Sequence, residues 1–173
     1  MANKNQPKKL TLTAVKADAK KTDEVVEIDF NEYNGTYFQI KLNPFFSKQR
    51  RLSVIESLRE DVKEMKNKGI EFPDKTLPDY VVFLSVLEFS DFPRPSTDDI
   101  KKKIAYFYQV IETKYFEEVT EMMVDTEIQK IWQQVMQMVE MNEKLQSTID
   151  QSQALMKNIQ EKNGLNGSQA NTE

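Results

Sequence analysis

Apolar residues recur at steps of three and four from Asp125 to about Gln160. Ile128, Ile131, Val135, Met138, Leu145 and Ile149 share one register, with Asn142 in the same column and Ser152, Met156 and Ile159 extending it. A face that repeats every seven residues predicts a long helix with a coiled-coil seam. Trp132, Met136 and Val139 widen the stripe in its first half, which is expected to pack on a domain. Past Leu145 the stripe narrows among Gln, Ser and Asn, and that half is expected to project. A buried Asn in a seam costs stability but selects register and partner number. Asn142 is read that way, which predicts a homo-oligomer; the alternative is intramolecular packing with Asn142 at a wet edge.

Upstream, the period changes to two. Val26, Ile28 and Phe30 alternate with acids, and Phe38, Ile40 and Leu42 alternate with Gln39 and Lys41. Two strands around Asn34-Gly35 read as a β-hairpin. A two-residue loop would pair Phe30 with Gln39, mixing apolar and polar on both faces. A three-residue loop, Tyr33-Asn34-Gly35 with Gly35 left-handed, pairs Phe30 with Phe38, Ile28 with Ile40 and Val26 with Leu42, and is preferred.

Helical spacing returns after Asn43-Pro44. Ser47 is a plausible N-cap for a helix to about Lys68, with Leu52, Ile55, Leu58, Val62 and Met65 on one face and Gly69 ending it. Pro78 to Phe89 is nearly all apolar. Thr76 with Asp79, and Pro78 in the first turn, favour helix; the valines favour strand; we take helix. Ser96 with Asp99 reads as a capping box for a helix from Thr97, with Ile100, Ile104, Phe107 and Ile111 inward and Lys101, Lys102 and Lys103 in water. A brief break is expected at Thr120 to Asp125. The predicted class is mainly α with a small hairpin (α+β), a helical body plus the long C-terminal heptad helix. The divisions are 1–23, a basic flexible arm with at most a short strand near Leu10 to Val15; 24–124, hairpin and helical body; 125–162, heptad helix; and 163–173, a disordered tail.

Composition narrows the chemistry. At 173 residues, 39% hydrophobic and 30% charged, the chain suffices for one moderate core plus solvated extensions. It has no cysteine, hence no disulfide or thiolate site, and no histidine, the commonest metal ligand and general base. A net charge of −4 argues against nucleic-acid binding by the whole chain. Lys4, Lys8, Lys9, Lys16, Lys20 and Lys21 leave open an arm that touches nucleic acid or an acidic partner, although without arginines or aromatics a solubilising tail is the plainer reading. The longest apolar run, Tyr80 to Leu87, is too short for a membrane span, and nothing resembles a secretory signal. A cytoplasmic protein without metal or cofactor is expected.

The acidic pairs Glu117-Glu118, Glu121 with Asp125, and Glu140 with Glu143 lie on helix faces expected to be exposed, not across a pocket, so the chain is not read as an enzyme. Lys48, Arg50 and Arg51 suggest an anion site or, more plainly, a solvated face. Methionines cluster at Met122, Met123, Met136, Met138 and Met141. Such polarizable side chains suit an adaptable partner surface, or they fill a core. Met122, Met123, Met136 and Met141 are taken as the candidate partner surface. Ile128, Ile131, Val135, Met138, Asn142, Leu145 and Ile149 are taken as the seam.

The layout from Tyr37 to Leu145 resembles the tail assembly chaperones of long-tailed phages of Gram-positive hosts. The resemblance lies in a strand pair entering the corner Leu42-Asn43-Pro44-Phe45, an amphipathic helix, the entry Pro78-Asp79-Tyr80 into a buried helix, and an acidic helical end. It implies a self-associating helical protein of the host cytoplasm that coats the tape measure protein and recruits tail tube subunits. It further implies a longer form made by a −1 frameshift, for which Glu161-Lys162-Asn163 and Ala19-Lys20-Lys21 are both permissive and the former is favoured by its position before a short polar tail. The other classes kept open are a coiled-coil structural or adaptor protein and, less favoured, a nucleic-acid accessory protein using the lysine arm.

Overall fold

The computed structural model describes residues 9–31 and 35–167, with the side chains at 31, 142, 143, 145, 146, 149, 152 and 154–167 outside the description. Its elements are α1 (Leu12–Ala19), β1 (Val26–Asn31), β2 (Tyr37–Leu42), α2 (Lys48–Asn67), α3 (Leu77–Phe89), α4 (Ile100–Val110), α5 (Lys114–Met122) and α6 (Asp125–Gly167). The chain is mainly helical with a two-stranded antiparallel hairpin, an α+β class. It divides into two compact units, Met1–Trp132 and Gln133–Glu173, so the first two turns of α6 belong to the body. No helix among the described residues is long and apolar enough to cross a membrane.

The hairpin adopts the register that keeps apolar residues together: Val26 faces Leu42, Ile28 faces Ile40 and Phe30 faces Phe38. Ile28, Phe30, Ile40 and Leu42 are buried, whereas Phe38 at the loop end is 45% exposed. Tyr33 and Asn34 lie outside the described residues. Gly35 is left-handed, at φ +73°. An added Cβ there meets nothing within 4 Å, so only backbone strain opposes substitution. Gly35→Val is therefore expected to cost on the order of 1–2 kcal/mol, read as a lowered urea midpoint; an unchanged midpoint would mean the loop can adopt another turn.

Ser47 caps α2, its hydroxyl accepting from the Arg50 N–H at 3.3 Å. The helix ends in a Schellman motif: Ile70 N–H donates to Met65 C=O, Gly69 N–H to Lys66 C=O, and Gly69 has φ +62°. Its buried line is rotated from the expected one. Val54, Ile55, Leu58, Asp61 and Met65 face inward, while Leu52 and Val62 are 50% and 44% exposed. Both α3 and α4 pack on α2, and the line they cover is the one containing Asp61.

The apolar segment is a helix, α3, buried nearly all round as its composition requires. Thr76 makes no side-chain cap; a 3-10 turn at Asp74–Thr76 leads in, with Pro78 in the first turn. The capping box at Ser96 does not form. Asp99 is the N-cap, accepting from Lys101 N–H at 3.0 Å, so α4 begins at Ile100. An additional break falls at Ile111 to Thr113, where Thr113 caps α5 through the Phe116 N–H. Val110 is buried and Ile111 only half-buried.

The basic arm also differs from expectation. Residues 12–19 form a helix, not a strand, capped by Thr11 accepting from Ala14 N–H at 3.2 Å. Alanines at 14, 17 and 19 favour helix, and the sheet offers this segment no strand partner. At the other end, α6 runs through Gly167, past the expected end near Lys162 and into the segment read as a tail. Residues 168–173 of that tail lie outside the described residues.

Candidate interaction surfaces

Two buried charge clusters organise the body. The first floors a cleft of about 410 Å³ between α2, α3 and the connector before α4, lined by Glu60, Glu64, Glu88, Asp98 and Arg94 among others. At its base Asp61, only 8% exposed, accepts from the Tyr80 hydroxyl at 2.9 Å and the Lys103 ammonium at 2.6 Å. Lys103, expected in water, instead bends inward from α4. Burial first, and the Asp61 charge and hydrogen bond after it, push the Tyr80 phenol well above its ordinary range. A raised phenol holds its proton more firmly in the folded chain. Its stabilisation is therefore complete below the unfolded value near 10 and is lost as pH climbs beyond it. Arg94 closes the cleft by donating to Leu87 C=O.

The second cluster holds the paired arginines. Arg50 donates to Glu88 at 3.1 Å and to Asn43 Oδ1 at 2.9 Å, and stacks over Phe89 at 4.6 Å. Phe46 in turn stacks on Phe89 with centroids 3.6 Å apart. Arg51 donates to Phe46 C=O at 2.5 Å and to Glu127 at 3.3 Å, and Glu127 also accepts from Lys130 at 2.5 Å. Neither arginine forms an anion site or a solvated face; both fasten the strand-to-helix corner to helices arriving later in the chain. Asn43 completes the corner, donating its backbone N–H to Phe89 C=O and its amide to Glu24 C=O.

Among the described residues no group of three or more acidic side chains is arranged to hold a metal ion. Glu117, Glu118, Glu121, Asp125 and Glu140 are exposed, as their helix faces predict. Among the described residues the buried carboxylates are Asp61 and Glu127, which sequence reasoning missed. Their signal was positional: Asp61 sits three residues after Leu58 and four before Met65, and Glu127 sits four before Ile131.

The expected seam is divided. Ile131 and Val135 are buried, at 0% and 2% exposure, and Ile128 and Met138 are half-buried. A second chain cannot reach the buried pair. The side chains of Asn142, Leu145 and Ile149 lie outside the described residues. Of the candidate partner surface, Met122, Met136 and Met141 are exposed at 49%, 44% and 59%. Met123 is buried and is corrected to a core residue: the turn between α5 and α6 points its side chain inward. Val139, not singled out for a partner, is exposed one turn from Met136 on α6.

The family model described as YomO matches residues 12–172 of the chain. The SPbeta prophage-derived uncharacterized protein YomO of Bacillus subtilis (strain 168) is 26% identical over 109 residues, 63% of this chain. The match spans 62% of that relative's length. No solved structure matches significantly.

Proposed function

The chain belongs to the YomO family, and on that premise we propose that it is a non-enzymatic, phage-encoded assembly protein. In this reading it acts in the host cytoplasm as a tail assembly chaperone that binds the tape measure protein and recruits tail tube subunits. The observation that carries the reading is on α6. Met136 and Val139 are exposed three residues apart, on one face of the helix. Clustered apolar side chains left in water mark a surface for another protein, and methionine adapts to varied apolar shapes. The prophage origin of the relative and the chaperone-like layout of hairpin, Asn43-Pro44 corner and buried α3 support the same reading. Self-association runs along the remaining seam column, Met138, Asn142, Leu145 and Ile149.

A second reading, a coiled-coil adaptor or virion component, is favoured by the unbroken 43 residues of α6. Co-expression with the tape measure and tail tube proteins of the same phage separates the two. A chaperone co-purifies with the tape measure protein, and Met136→Asp with Val139→Asp removes that complex. An adaptor self-associates but leaves the tape measure protein behind. For the seam, Leu145→Asp with Ile149→Asp is expected to lower the solution mass toward the 20.3 kDa of one chain without changing the body's melting. Ile131 is unsuited to this test because it is buried. A wild-type mass of one chain at every concentration would remove the seam.

A further inference from the structure

Helix α1 has an uncovered apolar stripe. Leu12 and Val15 are 70% and 47% exposed, Ala19 continues the line, and no residue of the helix is buried. Lys16 and Lys20 border the stripe one turn apart. An eight-residue helix is marginal in water on propensity alone, so a docking surface would supply what it lacks. The charge is as uneven as the hydrophobicity. Residues 1–23 hold six lysines against Asp18 and Asp23, a net +4, which leaves −8 on the remainder of a chain whose total is −4.

A complementary groove runs along α5. Phe116 and Thr120 line it, reaching Val82 of α3 on one side. Glu117, Glu121 and Asp125 rim the other. Glu117 and Glu121 are four residues apart on α5, and Lys16 and the C-cap residue Lys20 are four apart at the end of α1, so the two charge pairs are spaced alike. We propose that α1 of one copy docks in the α3–α5 groove of a second copy, its apolar stripe down and its two lysines against Glu117 and Glu121.

The exposure of α1 in its own chain argues for a second copy over the chain's own arm. Glu24 C=O is held by the Asn43 amide, and Asn43 N–H is bonded to Phe89 C=O, so the arm leaves the body at the C-terminal end of α3. The groove meets α3 at Val82, about the middle of the helix and roughly 10 Å along its axis from Phe89. In its own chain α1 stands exposed. The arm exchange does not rest on the α6 seam, nor on the chaperone reading.

The test uses the full chain carrying Leu145→Asp and Ile149→Asp, so that the seam makes no contribution. Sedimentation equilibrium should show a mass above one chain that falls on dilution and with added salt. Lys16→Glu with Lys20→Glu should weaken association by about tenfold or more, since attraction becomes repulsion. Glu117→Lys with Glu121→Lys should do the same, and an equal mixture of the two variants should associate again. A mass of one chain throughout, undiminished association in both variants, or a mixture that stays apart would each overturn the proposal. The chain has no cysteine, so Val15→Cys in one chain and Thr120→Cys in another should give a mixed disulfide dimer on mild oxidation. A cross-link that forms only inside a chain carrying both would place the arm in its own groove and overturn the exchange.

Discussion

Phe107→Ala should destabilise the body by about 3–5 kcal/mol, the range for a truncated core aromatic. The Phe107 ring is fully buried and stands between elements far apart in sequence. Its centroid lies 5.0 Å from Tyr80, 5.3 Å from Phe83 and 6.1 Å from Phe72. It thus joins α4 to α3 and to the loop after α2. The space it leaves is walled by rigid rings on separate elements, which cannot close in as a single flexible side chain could. Net stabilities are only about 5–15 kcal/mol, so this one change removes a large share. Urea unfolding followed by far-UV circular dichroism gives the number. The neighbouring Tyr108, 42% exposed, is the control, and Tyr108→Ala should cost less than about 1 kcal/mol. Similar losses at both positions would mean that the ring cluster is not the centre of the core.

The same cluster shows why parts of this fold were legible. The hairpin register follows from a period of two on both strands, because one slip would mix apolar with polar on each face; the observed pairs are the ones that avoid it. Ser47 and Gly69 mark the ends of α2 because each has one local job, a side-chain cap and a left-handed residue. Tertiary choices were not legible. Leu52 and Asp61 exchange their expected environments because α3 and α4 decide which line of α2 is covered. A carboxylate can join that line only because Lys103 and Tyr80 arrive from other elements to satisfy it. Arg50 and Arg51 looked like exposed charge because their partners, Glu88 and Glu127, lie 38 and 76 residues away. Adjacent Met122 and Met123 look alike in sequence, and the turn after α5 alone separates a surface residue from a core one. On α6 the heptad column holds two buried residues, Ile131 and Val135, and two half-buried ones, Ile128 and Met138. Periodicity identifies a face and is silent on what covers it.

Asp61→Ala is the second large effect expected, about 3–5 kcal/mol, because it strands a half-buried cation and a buried phenol rather than merely deleting a contact. Asp61 is 8% exposed and Tyr80 is fully buried, so the phenol loses its acceptor. The Lys103 side chain is 21% exposed, which lets its ammonium move outward and places the loss nearer the lower end of that range. The partners should not behave additively. Asp61→Leu combined with Lys103→Met and Tyr80→Phe removes every group that needed satisfying, and it should recover most of what Asp61→Ala loses. That contrast decides what the cluster is for. If the triple variant is as stable as the parent and still binds whatever the parent binds, Asp61 is a structural keystone beneath the cleft. If it is stable but loses a partner, the cleft above Asp61 contributes to recognition through Glu60, Glu64 and Asp98 and the charge that Asp61 and Lys103 set beneath them. Single and triple variants that lose the same stability would show that the ion pair is not what stabilises this floor. The burial of a carboxylate on the same helix line as Leu58 and Met65 would then need a cause other than its two partners.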